Sequence, residues 1–303
     1  MRDIMHDIGV TVSKRYTRSQ KELFMKLLVP KLEETGVPIE VLTIENKTVK
    51  YPDLVVGNLK KADTVIFVGY DTPSKMLIPN YEFTPLDVKK IMKYEKLNRA
   101  LLFLVPFLLI VVTTLLFSKA NGNIMMYIGA VICGLISLLV FFKVAPGIAN
   151  GFNFNRNSAG VAVVVKLIEE YNHSEKVAFV FSDNMAESYL GLFDFVNTIP
   201  KDKKIVVLDA IASGRDLVLF SANGSIEKLK QEFVFGDNET RYVNLHRVSD
   251  IFSSITNELI FICSGTLEKK KFVIENVRTK RDLVVDMKRL DVIFKQLLKY
   301  VNK

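Results

Sequence analysis

Two kinds of hydrophobic spacing alternate along this chain. Short apolar runs, rich in β-branched residues and bounded by turn formers, predict strands: PIEVLTI at 38–44, DLVVGNL at 53–59, DTVIFVGYD at 63–71, VAFVF at 177–181, IVVLDA at 205–210, DLVLFS at 216–221, ELIFICSG at 258–265 and KFVIENV at 271–277. Helical spacing predicts helices over 20–35, 158–171, near 225–234 and over 287–301. The first of these is expected to start at a capping box of Ser19 and Glu22, to kink at Pro30 and to end at Gly36. Strands that alternate with helices imply an α/β fold with a mainly parallel sheet covered on both faces.

A third pattern interrupts this alternation. Residues 100–117 and 124–142 carry no charge, and only the polar turn SKANGN separates them. Each run is close to the ~20 residues that cross ~30 Å of hydrocarbon, so the pair predicts a transmembrane hairpin. Lys89, Lys90, Lys93, Lys96 and Arg99 precede the first run and Lys143 and Arg156 follow the second, against Lys119 alone in the turn. The positive-inside rule then places both termini in the cytosol, in a multi-pass protein expected at the plasma membrane with the bilayer as its first partner. Thr84 and Pro85 predict the start of a basic, amphipathic stem with Leu86, Ile91, Tyr94 and Leu97 on one face. Gly129, Cys133 and Ser137 recur at four-residue spacing, as do Ala130 and Gly134. Such small residues serve close helix packing, within the hairpin or against a membrane-protein partner or second copy.

The chain has 303 residues, 49% hydrophobic and 24% charged, with a formal net charge of +8. The basic residues cluster beside the apolar runs and are not interleaved with aromatics on one element, so no nucleic-acid partner is expected. Two cysteines, Cys133 within an apolar run and Cys263, exclude a disulfide framework. Ser213-Gly214 and Cys263-Ser264-Gly265 lack a G-x-S-x-G elbow or an indicated histidine partner, and no phosphate loop is present. The run from Glu268 to Lys271 reads as a solvated turn. Neither half looks self-sufficient: residues 1–98 together with 147–303 are expected to form one discontinuous domain, with 99–146 inserted.

The order of short motifs outside the hairpin resembles the di-zinc aminopeptidase family that includes aminopeptidase S and glutamate carboxypeptidase. LEETG at 32–36 is similar to the end of that family's first helix. VIFVGYD resembles the strand that delivers G-A-H-x-D, with Gly69 at the histidine and Asp71 at the aspartate. Arg156-Asn157-Ser158-Ala159-Gly160 resembles D-N-x-S-G at the start of a helix, which puts Arg156 on the metal-bridging aspartate. FSDNMAESYLGL resembles F-D-x-E-E-x-G-L, with Met185 on the catalytic glutamate, Ala186 on a ligand glutamate and Glu187 one position late. IVVLD offers Asp209 as an aspartate ligand, and VRTKRDLV resembles H-T-P-x-D with Arg278 at the histidine and Asp282 at the aspartate.

The resemblance implies a three-layer α/β/α sandwich with a mainly parallel mixed sheet. It also implies that the metal chemistry is gone. Two cations about 3.5–4 Å apart need oxygen and nitrogen ligands and a carboxylate that activates water. Only Asp71 and Asp209 remain of that set, and His6, His173 and His246 lie in no matching motif. The reading is therefore a pseudoenzyme without metal, cofactor or catalytic residue, a membrane-anchored scaffold or accessory subunit of a membrane complex. The alternative is a membrane-bound metallo-aminopeptidase-like hydrolase with a rearranged site in which Glu187 still ligates. Two buried aspartates without cations demand compensation, so Arg156 or Arg278 is expected to pair with one of them.

Overall fold

The computed structural model describes residues 1–45, 50–79, 81–235, 240–269 and 271–303. The strands are β1 (Ile39–Glu45), β2 (Lys50–Val56), β3 (Thr64–Gly69), β4 (Val177–Ser182), β5 (Lys204–Leu208), β6 (Asp216–Ala222), β7 (Thr240–Asn244), β8 (Leu259–Glu268) and β9 (Lys271–Val273). The helices are α1 (Arg2–His6), α2 (Arg18–Glu33), α3 (Val88–Lys119), α4 (Ile124–Val144), α5 (Ala159–Glu170), α6 (Leu190–Val196), α7 (Ile226–Glu232) and α8 (Met287–Val301).

The strands join in the order β1-β2-β4-β3-β5-β8-β6-β7, with β9 beside β8. Strands β4, β3, β5 and β8 form a parallel centre. The flanks are mixed: β1 with β2, β2 with β4, β6 with β8, and β8 with β9 are antiparallel, while β6 and β7 are parallel. The sheet is thus less parallel than expected, because β2 and β6 return beside their neighbours without a crossover helix. Strand β3, from before the apolar hairpin, lies between β4 and β5, from after it. The two flanks of the hairpin therefore share one sheet.

Residues alternate between the two faces of the strands. Ile66, Val68, Phe179, Phe181, Val206 and Leu208 face a layer of α1, α2, α5 and α8. Val65, Phe67, Val180, Ile205 and Val207 face the other layer, built from α6 and from Phe83, Leu86 and Phe252. In α8, Leu290, Ile293, Leu297 and Val301 are buried at helical spacing, and each such side chain contributes about 1.5–3 kcal/mol of burial. Helix α5 lies so close to the sheet that a Cβ at Gly160 would come within 2.9 Å of Val68 Cγ2.

Several boundaries differ from expectation. The capping box of α2 is Thr17 with Gln20, whose Oε1 accepts from the Thr17 N–H at 3.1 Å, and not Ser19 with Glu22. Pro30 sits inside the last turn. Strand β9 ends at Val273, four residues short of the predicted run. Part of the Glu268–Lys271 turn, Lys270, lies outside the described residues.

Helices α3 and α4 pack against each other as a hairpin that leaves the domain. Only 11% of each apolar stretch is buried, so neither is a core helix of the domain, and both are long and apolar enough to cross a membrane. The cap of α3 is Asp87, accepting from Lys90 N at 2.9 Å, and not Thr84. Its first turns lie on the domain through Val88 and Ile91. Leu97, expected on the same face, is 48% exposed. Asn98 takes its place, bonding Lys75 O at 2.9 Å and Leu77 N at 2.8 Å. Within the hairpin, Ser137 Oγ donates to Pro106 O at 2.9 Å and Cys133 Sγ to Leu109 O at 3.6 Å. Ala130 is buried, and Gly134 lies near Thr113. Gly129 has no neighbour against its face and stands apart from that contact.

Candidate functional site

Three adjacent parallel strands deliver the site residues from their carboxyl ends, where open α/β sheets place their ligand crevices. Gly69 ends β3 and leads to Asp71; Asp209 follows β5; Asp183, Met185 and Ala186 follow β4. A turn over Phe154–Ser158 adds Arg156 at the start of α5. Its residue Arg156 is extended (φ −124°, ψ 102°), and the Arg156–Asn157 peptide is cis. Asn155 fixes the turn: its Oδ1 accepts from Ala212 N at 2.8 Å, and its own N–H donates to Asp282 Oδ1 at 2.8 Å.

The Arg156 guanidinium is buried at 1% exposure. Its Nε lies 3.2 Å from Asp209 Oδ1. That approach is off the line of a hydrogen bond, since both atoms otherwise lack an aligned partner, so the contact is an ion pair by proximity. Nη2 donates to Met185 O at 3.1 Å, and the group lies 3.9 Å from the centre of the Phe83 ring. The second Asp209 oxygen accepts a short hydrogen bond from the Tyr189 hydroxyl. Burial alone would lower the Arg156 pKa, but Asp209 and the neighbouring phenols outweigh it and raise it. Burial, and then Asp209, holds the Tyr189 phenol well above its ordinary value, so it remains a donor.

Asp71 is satisfied differently. Its Oδ1 accepts from Met185 N at 3.0 Å and its Oδ2 from Ala186 N at 3.0 Å. The two positions that the family resemblance assigns to glutamates thus contribute backbone donors. Burial and then Asp183 push the Asp71 carboxyl up to about 6, while Lys21 and these N–H groups oppose the shift. Lys21 Nζ pairs with Asp183 Oδ1 at 2.5 Å. The Met185 side chain occupies the space in front of Gly69: a Cβ there would overlap Met185 Cβ and come within 2.9 Å of Asn157 Nδ2. The histidine of the family pattern has no room in this packing.

Arg278 does not join Asp71 or Asp209. Its Nε donates to Ser74 O at 2.6 Å, one Nη donates to Ser74 Oγ, and the guanidinium forms a short, two-pronged pair with Glu95 on α3. Glu187 lies 3.9 Å from it and accepts from Ser74 N at 3.1 Å. Asp282 joins the two arginine segments, accepting from Asn155 N and, at 3.4 Å, from Arg278 N. Burial pushes the Asp282 carboxyl up to about 8 against these backbone donors.

The residues do not fit a pair of zinc ions. A guanidinium stands against Asp209, both oxygens of Asp71 and of Asp209 are engaged, and a side chain fills the place of the histidine. Among the described residues no three His, Cys, Asp or Glu side chains are placed to share a cation. His6 and His246 are exposed, and His173 packs on the Tyr171 ring. Cys263 is fully buried, and burial raises its thiol well above the ordinary value, which keeps it protonated.

Four residues of this arrangement carry no signal in the sequence: Phe83, Glu95, Tyr189 and Arg15. Arg15 is fully buried, bonding Tyr70 O at 2.5 Å, Val12 O at 2.7 Å and Ser158 Oγ at 3.0 Å. Burial lowers its pKa to about 9, with Asp71 opposing. In the sequence it is one cation in the basic stretch SKRY.

No family model matches the sequence, and no curated protein matches it. Solved structures do. A Zn-dependent exopeptidase from Parabacteroides distasonis matches with a TM-score of 0.60 and 9% identity over 99% of this chain and 95% of that one. Glutaminyl cyclase from Porphyromonas gingivalis matches with a TM-score of 0.57 and 13% identity over 98% and 94%. LapA aminopeptidase from Legionella pneumophila matches with a TM-score of 0.54 and 11% identity over 99% and 68%. The chain therefore has a zinc-peptidase-like α/β fold.

Proposed function

We propose that this chain is a non-catalytic, membrane-anchored protein whose peptidase-like domain serves as a scaffold or accessory subunit of a membrane complex. The observation that carries the reading is the buried Arg156 guanidinium, 3.2 Å from Asp209, at the position the family resemblance gives to the metal-bridging aspartate. A fixed cation there repels a divalent ion at short range in a poorly screened site. Aromatic rings of Phe83 and Tyr189 flank the guanidinium, so the space is filled as well as charged. The two exposed apolar helices supply the anchor, and the basic flanks orient the hairpin with both termini in the cytosol.

The catalytic half is tested on the full chain in detergent, with zinc added, against aminoacyl substrates and N-terminal glutaminyl peptides. No turnover above the detergent blank is expected. Turnover that survives purification and is lost in Glu187→Ala would overturn the reading in favour of a hydrolase with a rearranged site. The anchor is tested with an impermeant thiol reagent on intact cells. Asn121→Cys should label and Ser19→Cys should not; the reverse pattern contradicts the orientation.

A further inference from the structure

A polar cavity of about 450 Å³ opens at the root of the hairpin, between the N-terminus of α2, the segment after β3 and the loop carrying Glu187. Arg99 lines it from within α3 and Pro146 from just beyond the end of α4. Arg99 is the last charge before the first apolar run, and Pro146 follows Lys143 at the end of the second. On the membrane-anchored reading above, which this inference rests on, the cavity therefore sits at headgroup depth.

Its lining has two signs. Arg18, Lys21 and Arg99 are cations; Asp71 and Glu187 are carboxylates. Lys21 is committed to Asp183. Among the described residues Arg18 holds only an exposed pair with Glu22 on its own helix, with side chains 94% and 57% exposed, and such pairs open at little cost. Arg99 makes no salt bridge among the described residues. The first turn of the 16-residue helix α2 contains no acidic residue to oppose an anion. Tyr16 closes one wall, its hydroxyl packed where a Cβ on Gly147 would collide with it.

A phosphate dianion would meet the two carboxylates as well as the cations. A phosphodiester that carries an amine matches both signs: Arg18 and Arg99 offer donors to the phosphate, and Glu187, whose Oε1 is held by Ser74 N and lies 3.9 Å from Arg278, offers its second oxygen to the ammonium. A quaternary ammonium is recognised by several aromatic faces, and this cavity offers only Tyr16. We infer that the cavity is a binding site for the zwitterionic headgroup of a membrane phospholipid with a primary amine, the phosphoethanolamine chemistry, taken from the leaflet that the hairpin enters. The site would fix the depth and tilt of the domain on the bilayer.

The test titrates the full chain in a non-ionic detergent with short-chain phosphatidylethanolamine, short-chain phosphatidylcholine and inorganic phosphate, reading binding by native mass spectrometry. Phosphatidylethanolamine should bind, phosphatidylcholine about tenfold more weakly, and inorganic phosphate should not compete. Arg99→Gln, at an exposed position, and Ser188→Phe, which fills the cavity, should each weaken binding by about tenfold. Equal affinity for both lipids, competition by inorganic phosphate, or unchanged binding in both variants would overturn the proposal. Alkaline extraction of native membranes carrying the same proteins separates the two readings. Release of the wild type would refute the anchor whatever the titration shows, while retention with no headgroup binding would refute the site alone.

Discussion

Arg156 and Arg278 stand at two positions that converge on one site in the family this chain resembles, yet they have opposite surroundings. Arg156 points into the domain: Asp209 neutralises it, Phe83 and Tyr189 enclose it, and Met185 O takes one of its donors. Arg278 points out to the root of the hairpin, where Glu95 on α3 and Ser74 hold it. Segments from either side of the hairpin meet at Ser74 as well, where Ser74 pairs with Ala149 and Lys75 N donates to Ile148 O at 2.6 Å. One set of positions thus supplies two structural roles. One arginine closes the interior, and the other fastens an inserted element to the domain's edge.

The largest expected effect belongs to the inner arginine. Arg156→Ala leaves Asp209 buried without its cation and should destabilise the domain by about 3–5 kcal/mol, read by denaturant unfolding of the full chain in detergent. The combined replacement Arg156→Met, Asp209→Leu and Tyr189→Phe removes the charges and the orphaned hydroxyl together. It should recover most of that loss, since apolar groups of similar volume substitute for buried pairs at little or no net penalty. A triple variant as unstable as the single one would show that the pair does more than neutralise itself.

The outer arginine should behave locally. Glu95→Gln weakens its charged partner and should reduce stability by about 1–3 kcal/mol. The loss should be visible chiefly as faster amide exchange in residues 88–99, with the sheet unaffected. Faster exchange spread evenly through β3, β4 and β5 would erase the distinction between the two arginines.

Asp282 bridges both segments and gives a pH handle on their union. Its folded pKa of about 8 lies above the ordinary 3.8 because burial disfavours the charge. Because the folded value is raised, the protonated carboxyl's contribution is complete below about 4 and is lost as pH rises to about 8. Wild type should therefore lose stability relative to Asp282→Asn across that window and stay level above it. A difference between the two proteins that does not vary with pH would contradict the assignment.

Within the hairpin the contrast lies between two glycines. Gly134 faces Thr113 at 3.5 Å from where its Cβ would sit, whereas Gly129 faces open space. Gly134→Leu should cost about 1–3 kcal/mol of hairpin packing, and Gly129→Leu much less. The ratio is read from the stability of the two variants in detergent. Equal losses would assign Gly129 to a contact outside the chain.

These contrasts also mark how far the sequence could be read. The apolar runs of β3, β4, β5 and β8 are buried on both faces, so their hydrophobicity is continuous and visible. The hairpin is visible for a different reason: its two runs are long, uncharged and apolar all round, although only 11% of each is buried. The motif order locates Gly69, Asp71, Arg156, Met185, Ala186 and Asp209 together, because each follows a strand or starts a helix whose pattern is plain. Arg278 falls in the right segment, but its direction depends on Glu95, a residue that in sequence is one charge within a basic amphipathic run. Tyr189 and Phe83 are unreadable for a related reason: an aromatic that closes over a guanidinium has the same pattern as one that fills a core. Strand β7 carries no such signal, since a half-exposed edge such as TRYVN shows neither a continuous apolar run nor a strict alternation.

The proposal stands on a guanidinium against Asp209 and backbone N–H donors on Asp71, in place of metal ions, completing the carboxylates at the ends of β5 and β3. The most direct measurement is the metal content of the full chain, expressed and purified without chelator in zinc-supplemented buffer, by elemental mass spectrometry against protein concentration. The account predicts no stoichiometric zinc, in the wild type or in Arg156→Ala, because the histidine positions stay filled. One or two tightly held zinc ions per wild-type chain would contradict it.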